Sequence, residues 1–116
     1  EGVRARWFTP TGPAQWTVDP VLRRRVRFAP LNLVTDDYPS EAAGTAAVDL
    51  LLCRNVLMYL TSAARARVAT RLVRCLAPGG WLAVAAAEVP AAEFPDLTVH
   101  RFPRAILHQR PGPAAP

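Results

Sequence analysis

Val48-Asp49-Leu50-Leu51-Leu52-Cys53-Arg54-Asn55-Val56-Leu57-Met58-Tyr59-Leu60 is the stretch on which the reading of this chain turns. From Val48 to Cys53 it is apolar except for Asp49, with no alternation. A short continuous run of that kind suits a strand buried on both faces, as in a parallel sheet. It stops abruptly at Arg54-Asn55. Open α/β sheets place their ligands at such a step, outside the carboxyl ends of the strands.

Downstream, Thr61-Ser62 offers a helix N-cap, and Ala63 to Leu76 carries helical periodicity. Ala64, Val68, Leu72, Cys75 and Leu76 fall on one face, with Arg67, Arg71 and Arg74 on the opposite, solvated one. Pro78-Gly79-Gly80 is expected to end the helix, because glycine takes up the left-handed conformation just past a last turn. Trp81 to Ala87 then reads as a second buried strand, ending at Glu88. Strand, helix, strand in this order predicts a βαβ crossover of a doubly wound sheet. Leu97–Phe102 and Ala105–Gln109 are two further strand-like runs, and Pro103-Arg104 between them predicts an antiparallel hairpin.

Upstream, Arg6-Trp7-Phe8 and Gln15–Val18 read as strands around a Thr9–Pro13 turn. Asp19 is positioned to cap a helical turn over Pro20–Arg24. Val26-Arg27-Phe28 alternates like a strand and leads to Leu31-Asn32-Leu33, followed by the polar loop 35–40. Residues 110–116 have the composition of a disordered tail or linker.

Composition sets the outer limits. At 116 residues the chain is one domain or a piece of one, and its 51% hydrophobic content excludes a wholly disordered chain. No apolar run reaches the ~18 residues that span a bilayer, so the protein is not membrane-embedded by a helix. All 14 basic residues are arginine, giving a net charge of +5. Alanine is overused as well, and both biases fit drift in a GC-rich genome, so the charge alone is no argument for nucleic acid. Cys53 and Cys75 have neither disulfide nor zinc spacing and read as buried thiols in a reducing compartment. His100 and His108 have no partner at metal or triad spacing; a structural role is expected for both, and no metal site is visible.

Asp49, the apolar run, Cys53-Arg54-Asn55-Val56, two apolar residues and Tyr59 together resemble the chemotaxis-receptor glutamate methyltransferases of the CheR family. Leu76-Ala77-Pro78-Gly79-Gly80-Trp81-Leu82 fits that family but also many other Rossmann-like methyltransferases. Arg6-Trp7-Phe8, Gly12-Pro13, Trp16-Thr17-Val18, Leu22-Arg23, Val26, Phe28 and Leu31-Asn32-Leu33 follow in the family's order, so the resemblance covers about 6–109. It implies an α/β, Rossmann-like, S-adenosylmethionine-dependent methyltransferase fold. The implied reaction is methyl transfer to glutamate side chains on a cytoplasmic receptor helix, carried out in the cytoplasm.

The same resemblance puts Asn32 and Leu33 at the adenine end of the cofactor, and Arg54 and Asn55 along the cofactor cleft. Tyr59 and Arg54 become the residues that place the substrate carboxylate. Such a carboxylate is ionised at neutral pH and needs no general base, so the lack of a His/Asp pair is no objection. The family's glycine loop and ribose-binding acid lie on strands with no counterpart in this sequence. The expected organisation is therefore a β-subdomain remnant or insertion over 1–20 and the C-terminal half of a methyltransferase domain over 21–109. Such a partial domain would leave Val26–Leu33 without a strand to pair with and one edge of Val48–Cys53 open, and would bind cofactor poorly alone. Ala85-Ala86-Ala87-Glu88 stands where the family reads Gly-His-Ser-Glu. That difference keeps open the alternative of a non-catalytic, methyltransferase-like binding module in signalling. A nucleic-acid module is the remaining alternative and would show affinity falling steeply with salt.

Overall fold

The computed structural model describes residues 2–85 and 93–113. They form two compact units, Glu1–Leu31 and Asn32–Pro116.

In the first unit, helix α1 (Gly2–Trp7) leads into strand β1 (Phe8–Gly12), which pairs antiparallel with β2 (Gln15–Val18). Arg6 and Trp7 thus end a helix rather than start a strand, and Thr9 to Gly12 belong to β1 rather than to a turn. A two-stranded ribbon has only edge strands, where Pro10 can sit without costing a ladder bond. The pairing is irregular between Pro10 and Gly12, and Ala14 adopts a positive φ in the connection. The guanidinium of Arg4 lies 5.2 Å over the Trp16 ring. Helix α2 (Pro20–Arg23) starts as expected: the Asp19 carboxylate accepts from the Val21 N–H at 2.8 Å, and Pro20 occupies the first turn. Residues 26–30 are irregular, with Phe28 93% exposed. The alternation there was the signature of a strand, but no described strand lies alongside to supply hydrogen bonds, and an unpaired strand has no ladder to hold it.

The second unit is built on a four-stranded sheet in the order β3 (Val48–Cys53), β4 (Leu76–Val84), β6 (Ala105–Gln109), β5 (Thr98–Phe102). β3 and β4 are parallel and are joined through α3 (Ser62–Cys75); β4–β6 and β5–β6 are antiparallel. The α3 N-cap is Thr61, whose hydroxyl accepts from the Ala64 N–H. Ala64, Val68, Leu72, Cys75 and Leu76 are all buried, as the periodicity requires. Val68, Leu72, Cys75 and Leu76 share a core cluster with Cys53, Leu82 and Val84 on one face of the sheet, with Leu51 packed alongside. The other face is different. Leu50 and Leu52, paired in register with Trp81 and Ala83, remain 57% and 66% exposed. The β3 run is therefore covered on one face among the described residues, not on both. A run of leucines marks what a strand can bury, and it does not record which neighbours are there to bury it.

The helix also stops earlier than the Pro-Gly-Gly signal suggests. Leu76 is already extended (ψ 136°), and β4 begins there. Pro78 disfavours helical backbone at Ala77, so the chain straightens before the glycines instead of at them. Gly79 has φ +80° and donates its N–H to the Arg110 carbonyl, while Arg110 N–H returns a bond to the Gly80 carbonyl. Gly80 packs tightly: a Cβ there would lie 2.7 Å from the Val48 carbonyl oxygen and 2.9 Å from that of Ala77. Both are backbone atoms within or beside the β3–β4 pair, so neither can yield cheaply. Gly80→Ala is expected to cost about 1–3 kcal/mol, read as a lower urea midpoint at unchanged slope.

Candidate functional site

The end of β3 is organised by two buried side chains. Cys53 is buried at the last strand position, and Leu57, fully buried, opens a 3₁₀ turn over Leu57–Tyr59. Between them, Arg54, Asn55 and Val56 must cross from strand to turn, and Asn55 does so at φ +60°. Asparagine tolerates this left-handed conformation better than other residues with a side chain. The crossing leaves Arg54 and Asn55 exposed, Met58 half-exposed and Tyr59 80% exposed. Thr61 then caps α3. The strand end thus presents a guanidinium, an amide and a phenol on a short segment anchored from below by Cys53 and Leu57.

Asn32 and Leu33 lie in a separate turn of the same unit. The Asn32 Oδ1 accepts from the N–H groups of Val34 (3.0 Å) and Thr35 (3.1 Å), and its own N–H donates to Asp36 Oδ2 (2.7 Å). Its carboxamide oxygen is thus used inside the turn, which leaves the Nδ2 group for any ligand. Leu33 and Val34 pack against the core cluster that also contains Cys53 and Leu57. Both segments therefore rest on one hydrophobic base. Glu88 lies outside the described residues, as do Ala86 and Ala87. A cleft of about 640 Å³ elsewhere in this unit is lined by residues of α3 and of the 93–96 and 110–111 segments, and it includes none of these side chains.

The titratable groups that depart from ordinary behaviour lie beneath the surface. Burial pushes the Cys75 thiol up, and both cysteines are buried and outside any disulfide. Among the described residues no group of three or more His, Cys, Asp or Glu side chains is arranged to hold a metal, and no helix is long and apolar enough to cross a membrane. His108 is 3% exposed, in β6 against the Phe94 ring (5.2 Å), and its Nδ1 has no hydrogen-bond partner among the described residues. Burial, and secondarily the Arg101 charge, lower its pKa below the ordinary 6.5. The unfolded chain therefore takes up this proton first as the pH falls. The contribution of neutral His108 is complete above about pH 6.5 and is lost on acidification below it. The melting temperature is expected to drop between pH 7.5 and 5.5, and His108→Phe should lose less over that interval. An equal drop in both proteins would assign the effect to other groups.

Comparison with known proteins identifies the family. Residues 1–100 match the model of the CheR methyltransferase SAM-binding domain. The chain belongs to the CheR methyltransferase family. It is 39% identical over 83 residues to chemotaxis protein methyltransferase Cher2 of Pseudomonas putida, a match covering 72% of this chain and 28% of that protein. The same identity and coverage hold for chemotaxis protein methyltransferase 1 of Pseudomonas aeruginosa. An uncharacterized 104.1 kDa protein of Rhodobacter capsulatus is 32% identical over 113 residues, covering 94% of this chain and 11% of its own length. The chain thus spans little more than a quarter of the chemotaxis methyltransferases it matches. The domain model it matches is described as SAM-binding, and its mixed α/β sheet is consistent with a methyltransferase-like fold.

The residues present suit part of that cofactor. Arg54 is exposed, and no described carboxylate forms an ion pair with it, so its charge is available to an anionic group. The Asn32 and Asn55 carboxamides suit the polar edges of a nucleoside, and Leu33 offers apolar surface beside them. Arg71 is the residue that helical periodicity misassigned. Instead of standing in solvent, it reaches across to the Asn32–Asp36 turn. Nothing local to Arg71 in the sequence marks this contact, because its acceptors Val34 and Asp36 lie 37 and 35 residues upstream.

Proposed function

We propose that this chain is part of a protein-glutamate O-methyltransferase acting on glutamate-bearing cytoplasmic helices of chemotaxis-type receptors. Asn32, Leu33, Arg54 and Asn55 contact the cofactor, and Tyr59 and Arg54 hold the accepting carboxylate. S-adenosylmethionine, when bound, supplies an electrophilic methyl group. The chain's own residues then have two tasks: to orient an ionised carboxylate and to exclude water, work that positioning alone can make worth several kcal/mol. No residue need remove a proton, because a glutamate is ionised at neutral pH.

The observation that carries this reading is the end of β3, where the buried Cys53 and Leu57 hold Arg54, Asn55 and Tyr59 exposed on one short segment. The Pseudomonas relatives, chemotaxis protein methyltransferases by name, support the reaction class and its chemotactic setting.

Residues 21–109 act, on this reading, as the C-terminal half of a catalytic domain, with 1–20 a β-subdomain remnant or insertion and 110–116 a linker or tail. Two features support that division: among the described residues β3 pairs with β4 alone, and Leu50 and Leu52 on its second face stay largely exposed. Parallel strands are ordinarily covered on both faces. Calorimetry with S-adenosylhomocysteine tests the reading on the 116-residue chain and on the full-length gene product. Binding is expected for the latter and weak or absent for the former. Tight binding by the 116 residues alone would overturn the half-domain assignment, and no binding by the full-length product would overturn the cofactor site.

A further inference from the structure

Three backbone carbonyls of the turn that follows Asn32 converge on one nitrogen. Arg71 Nη1, from the middle of α3, donates to the carbonyl oxygens of Asp36 (2.9 Å) and Val34 (3.0 Å) and reaches that of Leu33 at 3.5 Å. The Tyr38 hydroxyl donates to the same Leu33 oxygen at 2.6 Å, and the Arg71 guanidinium lies 5.4 Å over the Tyr38 ring. The turn is closed internally as well, by the Asn32 side chain and by Asp36 N–H on the Asn32 carbonyl at 3.0 Å.

Carbonyl dipoles pointing at one spot repel one another, and a cation at their focus turns that repulsion into attraction. Hydrogen bonds to a charged donor are stronger than neutral ones. Without Arg71 the same oxygens would need water at the margin of the core cluster that holds Leu33, Val34 and Tyr38.

We propose that Arg71 is the positioning residue of the cofactor-side turn: it clamps the 33–36 carbonyls to α3, the helix that grows directly from the Arg54–Tyr59 segment. The two halves of the site are thereby held in fixed relation through one side chain that touches neither ligand. The inference rests on the proposed contact of Asn32 and Leu33 with the cofactor.

The test uses the full-length gene product with Arg71→Met, which keeps the aliphatic stem, and Arg71→Lys, whose three N–H groups can serve three carbonyls. Hydrogen exchange of residues 33–36 and S-adenosylhomocysteine affinity are measured well below the unfolding temperature. In Arg71→Met, exchange is expected to quicken by about tenfold or more and affinity to fall about tenfold, with Lys restoring both to within about threefold. At saturating cofactor kcat should stay near that of the unsubstituted protein while the KM for S-adenosylmethionine rises, a split that general destabilisation would not produce. Unchanged exchange in Arg71→Met overturns the clamp. Faster exchange with unchanged affinity also overturns the proposal, because the turn would then move without consequence for the cofactor. If the unsubstituted protein fails to bind S-adenosylhomocysteine, the underlying site assignment falls and the proposal falls with it.

Discussion

Tyr59→Phe is expected to lower methyl transfer by about 10–100-fold while leaving the melting temperature unchanged. Activity and stability respond differently here for separate reasons. Tyr59 is 80% exposed, so the phenol contributes little burial, and a surface hydroxyl can be removed within about 0.5 kcal/mol. The position of the ring is set from below by Leu57, fully buried two residues earlier, and that anchor is untouched in the variant. The hydroxyl, by contrast, is the group assigned to the accepting carboxylate, and a hydrogen bond to a charged group is worth about 1.5–3 kcal/mol, which is the stated fold-change. Arg54→Ala should be more damaging, by about 100-fold or more, because it removes a cation proposed to face both cofactor and substrate. Arg54→Lys keeps the charge but loses the planar fork and should recover only part of the loss. Turnover assays at saturating and limiting cofactor separate the two residues: Tyr59 acts on kcat, and Arg54 on kcat and the cofactor KM together. Normal turnover in Tyr59→Phe would remove that residue from the site.

How far the sequence could be read depended on whether the deciding partner was local. α3 was legible in its cap, its span to within a residue and its buried face, because Thr61 and the spacing of Val68, Leu72 and Cys75 act within a few turns. The polar step after Cys53 was legible for the same reason, since strand, step and 3₁₀ turn are contiguous. The readings that failed required knowledge of neighbours. Val26-Arg27-Phe28 alternates like a strand, yet residues 26–30 are irregular because, as the half-domain reading implies, no described strand lies beside them to complete a ladder. Leu50 and Leu52 look as buried as Leu51, yet only Leu51 faces α3. Arg71 sits on the polar stripe by angle, but an arginine is long enough to leave that stripe, and its acceptors are more than thirty residues away in sequence. Periodicity reports where a side chain starts. It does not report where a long one ends.

Leu57→Ala is expected to be the most destabilising single truncation at the site, at about 2–5 kcal/mol. Leu57 is fully buried in the cluster that includes Cys53, Val68 and Leu72, so its removal leaves a cavity walled by strand and helix. The wall cannot readily close. Cys53 is held in the β3 ladder and Val68 lies mid-helix, while the segment carrying residue 57 is already constrained by Asn55 at φ +60° and by the Thr61 cap. Against a typical total of about 5–15 kcal/mol, a loss of this size can unfold a marginal domain. Leu57→Met keeps the volume and should cost under about 1.5 kcal/mol, and Met58→Ala, at a half-exposed neighbour, should cost still less. Urea denaturation of the three variants gives the order directly. The functional consequence should exceed the stability loss: in the fraction of Leu57→Ala that remains folded, Tyr59 has lost its anchor, so specific activity per folded molecule falls as well. If Leu57→Ala unfolds within about 1 kcal/mol of the unsubstituted protein, the 3₁₀ turn is held by something other than this contact, and the account of how the strand end presents its polar groups has to be rebuilt.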